Sequence, residues 1–153
     1  MYASRAECCE LLLNRGANIN GDKPPPLIIA SRRGDERICK VLINKGADVN
    51  ACTDDGFTCL HSAALMNRIS IAKIFLAAGA RTDMEGWNGE TPLDIARNHS
   101  KEIASLIENH IITINLSGVI SRGLDDYSPF SDFLIHKIDD PRLFLIVTQF
   151  AYN

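Results

Sequence analysis

The chain has little that would suit it to nucleic acid, membrane or disulfide chemistry. Its 16 Lys and Arg face 19 Asp and Glu, for a formal net charge of −3. Nucleic-acid binders usually present a basic face, so nucleic acid is not an expected partner. No apolar run approaches the ~18 residues that a membrane-spanning helix needs. The opening MYASRAECCE lacks the basic-then-apolar layout of a signal peptide. Membrane insertion is therefore not expected, and the cytoplasm is the expected compartment, with the nucleus also open. Five cysteines are an odd number, which argues against a disulfide framework and for free thiols inside the cell. There is no Walker loop and no G-x-G-x-x-G segment to cradle a phosphate. Aromatic residues make up only 7% of the chain, with one tryptophan, so their positions carry information.

What the chain has is repetition. LLLNRGANIN (11–20) and VLINKGADVN (41–50) share five of ten positions, and the other five are close swaps. IFLAAGARTD (74–83) follows the second of these at an offset of thirty-three, and LIENHIITIN (106–115) aligns more loosely. A second ladder lies between: PPLIIAS (25–31), TCLHSAA (58–64) and TPLDIAR (91–97), each thirty-three after the last. Ala30, Ala63 and Ala96 stand in strict register. Self-similarity at such a period signals stacked units that cannot bury their apolar faces alone.

Local chemistry predicts the elements. Thr91-Pro92 starts a helix well, with a threonine cap and a proline whose missing N–H costs nothing at the first position. Leu93 and Ala96 then face inward at helical spacing. Gly34, Asn67 and Ser100 break the chain between a first and a second helix. The second helices carry the larger apolar load, with Ile38, Val41 and Leu42 in one copy and Ile71, Ile74 and Phe75 in the next. Gly16, Gly46 and Gly79 each follow such a helix and suit a left-handed stop. Asp55-Gly56 and Asn88-Gly89 are turn pairs at the tips of projecting hairpins.

The period and the T-P-L-H-x-A and G-A-D-V-N elements resemble the ankyrin repeat family over about residues 3–115. That resemblance implies an all-α solenoid of stacked helix–turn–helix units with short β-hairpin fingers, forming one domain over 1–153. A half repeat (3–20) precedes repeats at 21–50, 51–83 and 84–115. In the half repeat, Ser4-x-x-Glu7 can form a capping box, and Cys8-Cys9 falls on the packed Ile38-Cys39 position. Between 20 and 25 the finger is three residues short, which accounts for the spacing of thirty. SPFSDFL (128–134) can be laid on TPLDIAR, so 116–153 reads as a degenerate capping repeat. ITINLSGVIS (112–121) alternates apolar and polar residues and could form a longer β-hairpin.

Catalytic and metal readings are weak. Cys59-x-His61 would need mutual hydrogen bonding and an orienting third group. The resemblance instead makes His61 structural, bonding backbone near a helix start. Cys52, Cys59 and His61 lack the fourth ligand of a structural zinc site. No catalytic residue, cofactor or metal is expected, and the chain is read as a non-enzyme.

The resemblance implies that finger tips and the ends of first helices line a concave surface that binds a protein partner. Carried over by position, that surface comprises Arg32 and Arg33, then Asp54, Asp55, Phe57, Leu65 and Met66, then Trp87, Asn88 and Glu90. Lys23, Pro24, Cys52, Glu85, Asn98 and His99 share the same zones. Phe57 and Trp87 stand out as large aromatics where turns ask for polar residues. The expected function is that of an interaction scaffold or adaptor, working as a monomer. An alternative is a substrate-recruiting adaptor, because PFSDFLIHKIDDPRLFLI (129–146) loosely resembles the helical boxes that engage ubiquitin ligases. A regulatory subunit of an enzyme is a third reading.

Overall fold

A computed structural model of the chain describes residues 5–21 and 24–121, with side chains through Ile114. The expectations for Ser4, Lys23 and the region from 122 onward lie outside the described residues. Seven helices occur among those described: α1 (Arg5–Asn14), α2 (Pro26–Arg33), α3 (Glu36–Asn44), α4 (Cys59–Leu65), α5 (Ile69–Ala77), α6 (Pro92–His99) and α7 (Lys101–Ser121). The first compact unit runs from Met1 to Ile114. Within it the first helices α2, α4 and α6 stack in one row, and α1, α3 and α5 in a second.

Each first helix starts and stops as its local chemistry dictates. Thr58 and Thr91 cap α4 and α6 with reciprocal boxes, the partners being His61 and Asp94. The Thr91 hydroxyl and amide hold the Asp94 carboxyl below the usual carboxylate range. Pro25 caps α2 without a side-chain bond, and Pro26 takes its first turn. Gly34 (φ 81°) and Asn67 (φ 51°) then supply the left-handed residue that turns the chain into the second helix. In the last copy that residue is missing. Ser100 is extended instead, and its Oγ accepts the Ile103 N–H at 3.3 Å, so one serine both ends α6 and starts α7.

Ala30, Ala63, Ala64 and Ala96 are buried along the inner row, where their small side chains let helices approach. Leu42, Ile71, Phe75, Ile103 and Ile107 fill the space beneath. Polar clamps join successive copies. Asn20 Oδ1 accepts the Asp48 N–H at 3.1 Å, and Asn50 Oδ1 accepts the Arg81 N–H at 2.8 Å. The asparagine that closes both halves of the repeated decapeptide thus holds the backbone of the next copy.

Three sequence expectations change. ITINLSGVIS is helical, because α7 runs on to Ser121. Ile111 stands where the other copies have their stop glycine, and an uninterrupted helix extends more cheaply than a new element nucleates. Ile114-Asn115 accordingly lies inside the helix. Cys8 is exposed and Cys9 only half-buried, whereas Cys39 is buried. No residue of α1 is buried, and Leu11 and Leu12 are 52% and 62% exposed, because α1 packs on α3 with no first helix beside it among the described residues. The fingers, finally, are turns closed by an isolated Cys52–Thr58 bridge and single hydrogen bonds, with no extended ladder among the described residues.

Two glycines give a graded test. At Gly79 (φ +85°) a Cβ would enter open space, so Gly79→Ala meets only the left-handed strain of about 1–2 kcal/mol. At Gly56 (φ +74°) a Cβ would lie 2.7 Å from the Glu85 carbonyl oxygen of the next finger. Gly56→Ala is expected to lower the urea midpoint further than Gly79→Ala. Equal losses would show that the finger backbones yield freely.

Candidate functional site

The candidate surface is built on two fingers and the inner helices beside them. Thr53 organises the first finger: its carbonyl accepts the Gly56 N–H at 3.0 Å, its N–H donates to the Phe57 carbonyl at 3.0 Å, and its Oγ1 accepts the Phe57 N–H at 3.1 Å. The second finger closes where Gly86 N–H meets the Glu90 carbonyl at 3.0 Å. His61 ties the two together. Its Nδ1 accepts the Thr58 N–H at 3.1 Å, and its Nε2–H donates to the Glu90 carbonyl, 3.2 Å away and one copy on. This pattern assigns the proton to Nε2. The Phe57 ring rests on the imidazole with centroids 4.9 Å apart. One buried histidine therefore fixes the height of the Trp87 turn above α4.

Six of the ten expected surface residues meet in one shallow pocket of about 230 Å³: Arg32, Asp55, Phe57, Leu65, Met66 and Trp87. Trp87 stands out at 78% exposure, while Leu65 and Met66 are 39% and 40% exposed. Phe57 is half-buried. Arg33 lines an adjoining pocket of about 360 Å³ with Ile29, Arg32 and Met66. Asp54, Asn88 and Glu90 line neither. Asn88 and Glu90 are turned toward each other, Nδ2 on Oε2, and the Glu90 N–H donates to Asn88 Oδ1 at 3.2 Å.

Sequence reasoning missed Ile28, Ile29, Thr53 and Ser62 as pocket residues. The first two and Ser62 read as ordinary helix positions, and only the stacking of α2 on α4 turns them into groove wall. Ser62 is the unusual one. It is fully buried, and its Oγ has no hydrogen-bond partner among the described residues. A buried hydroxyl left so costs about 1–3 kcal/mol.

The Cys59–His61 pair is committed elsewhere. The Cys59 thiol donates to the Val49 carbonyl at 3.0 Å. Burial pushes its pKa well above the ordinary thiol value, and that of Cys39 up to about 12. A nucleophilic cysteine needs the opposite shift. No group of three or more His, Cys, Asp or Glu suited to a metal occurs among the described residues. No described helix is long and apolar enough to cross a membrane.

The geometry defines a class: a scaffold of stacked helical repeats, with an exposed groove between projecting turns and the inner helices. A family model for ankyrin repeats (3 copies) matches residues 1–85 and again 27–117. The chain belongs to the ankyrin repeat family, whose members are generally protein–protein interaction modules and typically non-catalytic. Among similar proteins is a putative ankyrin repeat protein of fowlpox virus (strain NVSL), 38% identical over 137 residues, which cover 79% of this chain and 39% of that protein. Neurogenic locus notch homolog protein 1 of Homo sapiens is 36% identical over 89 residues, 56% of this chain and 4% of that protein. Alpha-latroinsectotoxin-Lt1a of Latrodectus tredecimguttatus is 32% identical over 104 residues, 66% of this chain and 7% of that protein. The chain thus spans well under half the length of each of these relatives.

His61 yields a pH prediction. Burial, ahead of its backbone contacts, lowers its folded pKa. The unfolded chain then binds the proton more readily, so stability is complete above the ordinary histidine pKa of about 6.5 and falls as pH drops below it. Urea midpoints measured at about pH 8 and about pH 5.5 should differ, and His61→Gln should shrink that difference. An unchanged difference would remove His61 as its source.

Proposed function

We propose that this chain is an intracellular binding scaffold. It holds a protein partner in the groove between its fingers and inner helices, and it performs no chemistry on that partner. The observation that carries this reading is the convergence of Trp87, Phe57, Leu65 and Met66 on one pocket. Trp87 is the anchor. A tryptophan left largely in water on a turn gains most when a partner desolvates it, and such aromatics dominate interface energies. Arg32 and Asp55 in the lining of this pocket, and Arg33 in that of the adjoining one, orient the partner together with Asp54 of the same finger, setting association rate more than affinity. Asn88 and Glu90 act from within the second finger, keeping its turn closed under Trp87.

The support for a reducing compartment is the odd number of cysteines, which does not suit a disulfide framework. The buried, backbone-bonded state of Cys59 and His61 supports a structural role for that pair.

Partner binding by Trp87→Ala tests the reading, with the partner taken from crosslinking and mass spectrometry in the native cell. Affinity should fall by roughly tenfold or more, about 1.4 kcal/mol or above, with circular dichroism unchanged because the side chain is exposed. Unaltered affinity would remove Trp87 from the site. Phe57→Ala should weaken binding and also cost stability, since its ring packs on His61.

A further inference from the structure

The groove has a polarity that its apolar pocket alone does not explain. At one end stand Arg32 and Arg33, in the last turn of α2. Neither has a carboxylate within ion-pair distance among the described residues. The Arg68 guanidinium lies against Gly34, immediately beyond them, with its Cζ 2.9 Å from where a Cβ would sit. The end of α2 thus carries Arg32 and Arg33, with the Arg68 guanidinium turned over the glycine that follows them. The two pockets share Arg32 and Met66 in their linings, so the arginine side and the aromatic side adjoin. The aromatic pocket, at about 230 Å³, lies below the usual range for a small-molecule site, ~300–1,000 Å³. It is the size for a single side chain. Its lining includes Ser62, whose fully buried hydroxyl has no partner among the described residues.

From these features we infer that the groove takes an extended acidic segment of a partner protein. One large apolar side chain of that segment seats against Phe57, Leu65, Met66 and Trp87. A neighbouring carboxylate meets Arg32 and Arg33 beside Met66, with the bidentate fit that guanidinium offers. Asp55, in the lining of the aromatic pocket, disfavours a second acid there and so fixes the direction in which the segment lies. This inference rests on the proposed partner-binding role of the groove and adds the chemistry of what enters it.

The experiment uses the full chain and short synthetic peptides, each with one Phe or Leu followed by either glutamates or lysines. Binding is read by fluorescence anisotropy. The glutamate series should bind at least roughly tenfold more tightly than the lysine series, with the gap narrowing as salt rises. Combined Arg32→Glu and Arg33→Glu, both at exposed positions, should abolish or invert that preference. Ser62→Ala should keep or raise the melting temperature and leave the glutamate preference in place, because the hydroxyl is fully buried and has no partner among the described residues. Equal binding of the two series, or a preference for lysine, would overturn the inference. So would failure of both series to bind while a partner protein still associates in a Trp87-dependent manner. That last result leaves the binding role standing and removes only the acidic segment. If Trp87→Ala and the charge reversals alter no association at all, both readings fall.

Discussion

Everything on the working face depends on how one repeat is held to the next. A pair of helices of seven to nine residues cannot enclose a core, so each copy is stable only against its neighbours. Apolar stacking supplies the attraction but is non-directional. Register comes from polar atoms that would be costly to strand: Asn20 and Asn50 on the backbone of the following copy, Ser31 Oγ on the Cys59 carbonyl, and His61 Nε2 on the Glu90 carbonyl. The last of these has the most consequence. It joins the start of α4 to the base of the second finger, so the turn carrying Trp87 has its position set by a buried imidazole.

The same constraint explains which parts of the fold can be read from the sequence. The stop glycines, the threonine caps and the register of Ala30, Ala63 and Ala96 each act within a few residues, and their spacing is visible in the text. The double duty of Ser100 is harder to see, because a serine between two helices can cap either. Where the local signal is an absence, it misleads. Ile111 replaces a stop glycine, yet the alternation of ITINLSGVIS points to a period of two. A helix already running from Lys101 decides that conflict, since extending it needs only the next residue. The exposure of α1 is foreseeable in outline, because no first helix precedes it among the described residues. The packing of Cys8-Cys9 follows from register alone in the sequence, and register does not create the missing neighbour.

The groove is legible in half of its surface. Phe57, Leu65, Met66 and Trp87 are recognisable because they break the local rule: apolar side chains where turns and helix ends are normally polar. The opposite wall obeys its rule and so gives no sign of itself. Ile28 reads as core and is core, and it lines the pocket only because α2 packs on α4. Charge is partly legible. Position in the repeat places Arg32 and Arg33 at one end, but the presence of Arg68 beside them depends on its side chain folding over Gly34.

Ser62 shows what a comparison between copies adds once the structure is known. The equivalent slots in the neighbouring copies hold Ile29 and Ile95. Either would bury apolar surface there without leaving a polar atom stranded. The middle copy instead places a hydroxyl in a fully buried position beside the only tryptophan and leaves it without a partner among the described residues. Scaffold stability gives no reason for that choice, since an apolar residue of the kind found one copy away would serve it better. Local rules tend to be broken where a site requires it. The serine lies in the wall of the same pocket that collects the exposed aromatic and the two apolar residues at the end of α4. The departure from the scaffold's own pattern and the convergence of exposed apolar side chains therefore locate the same pocket by independent routes, one through polarity and the other through exposure.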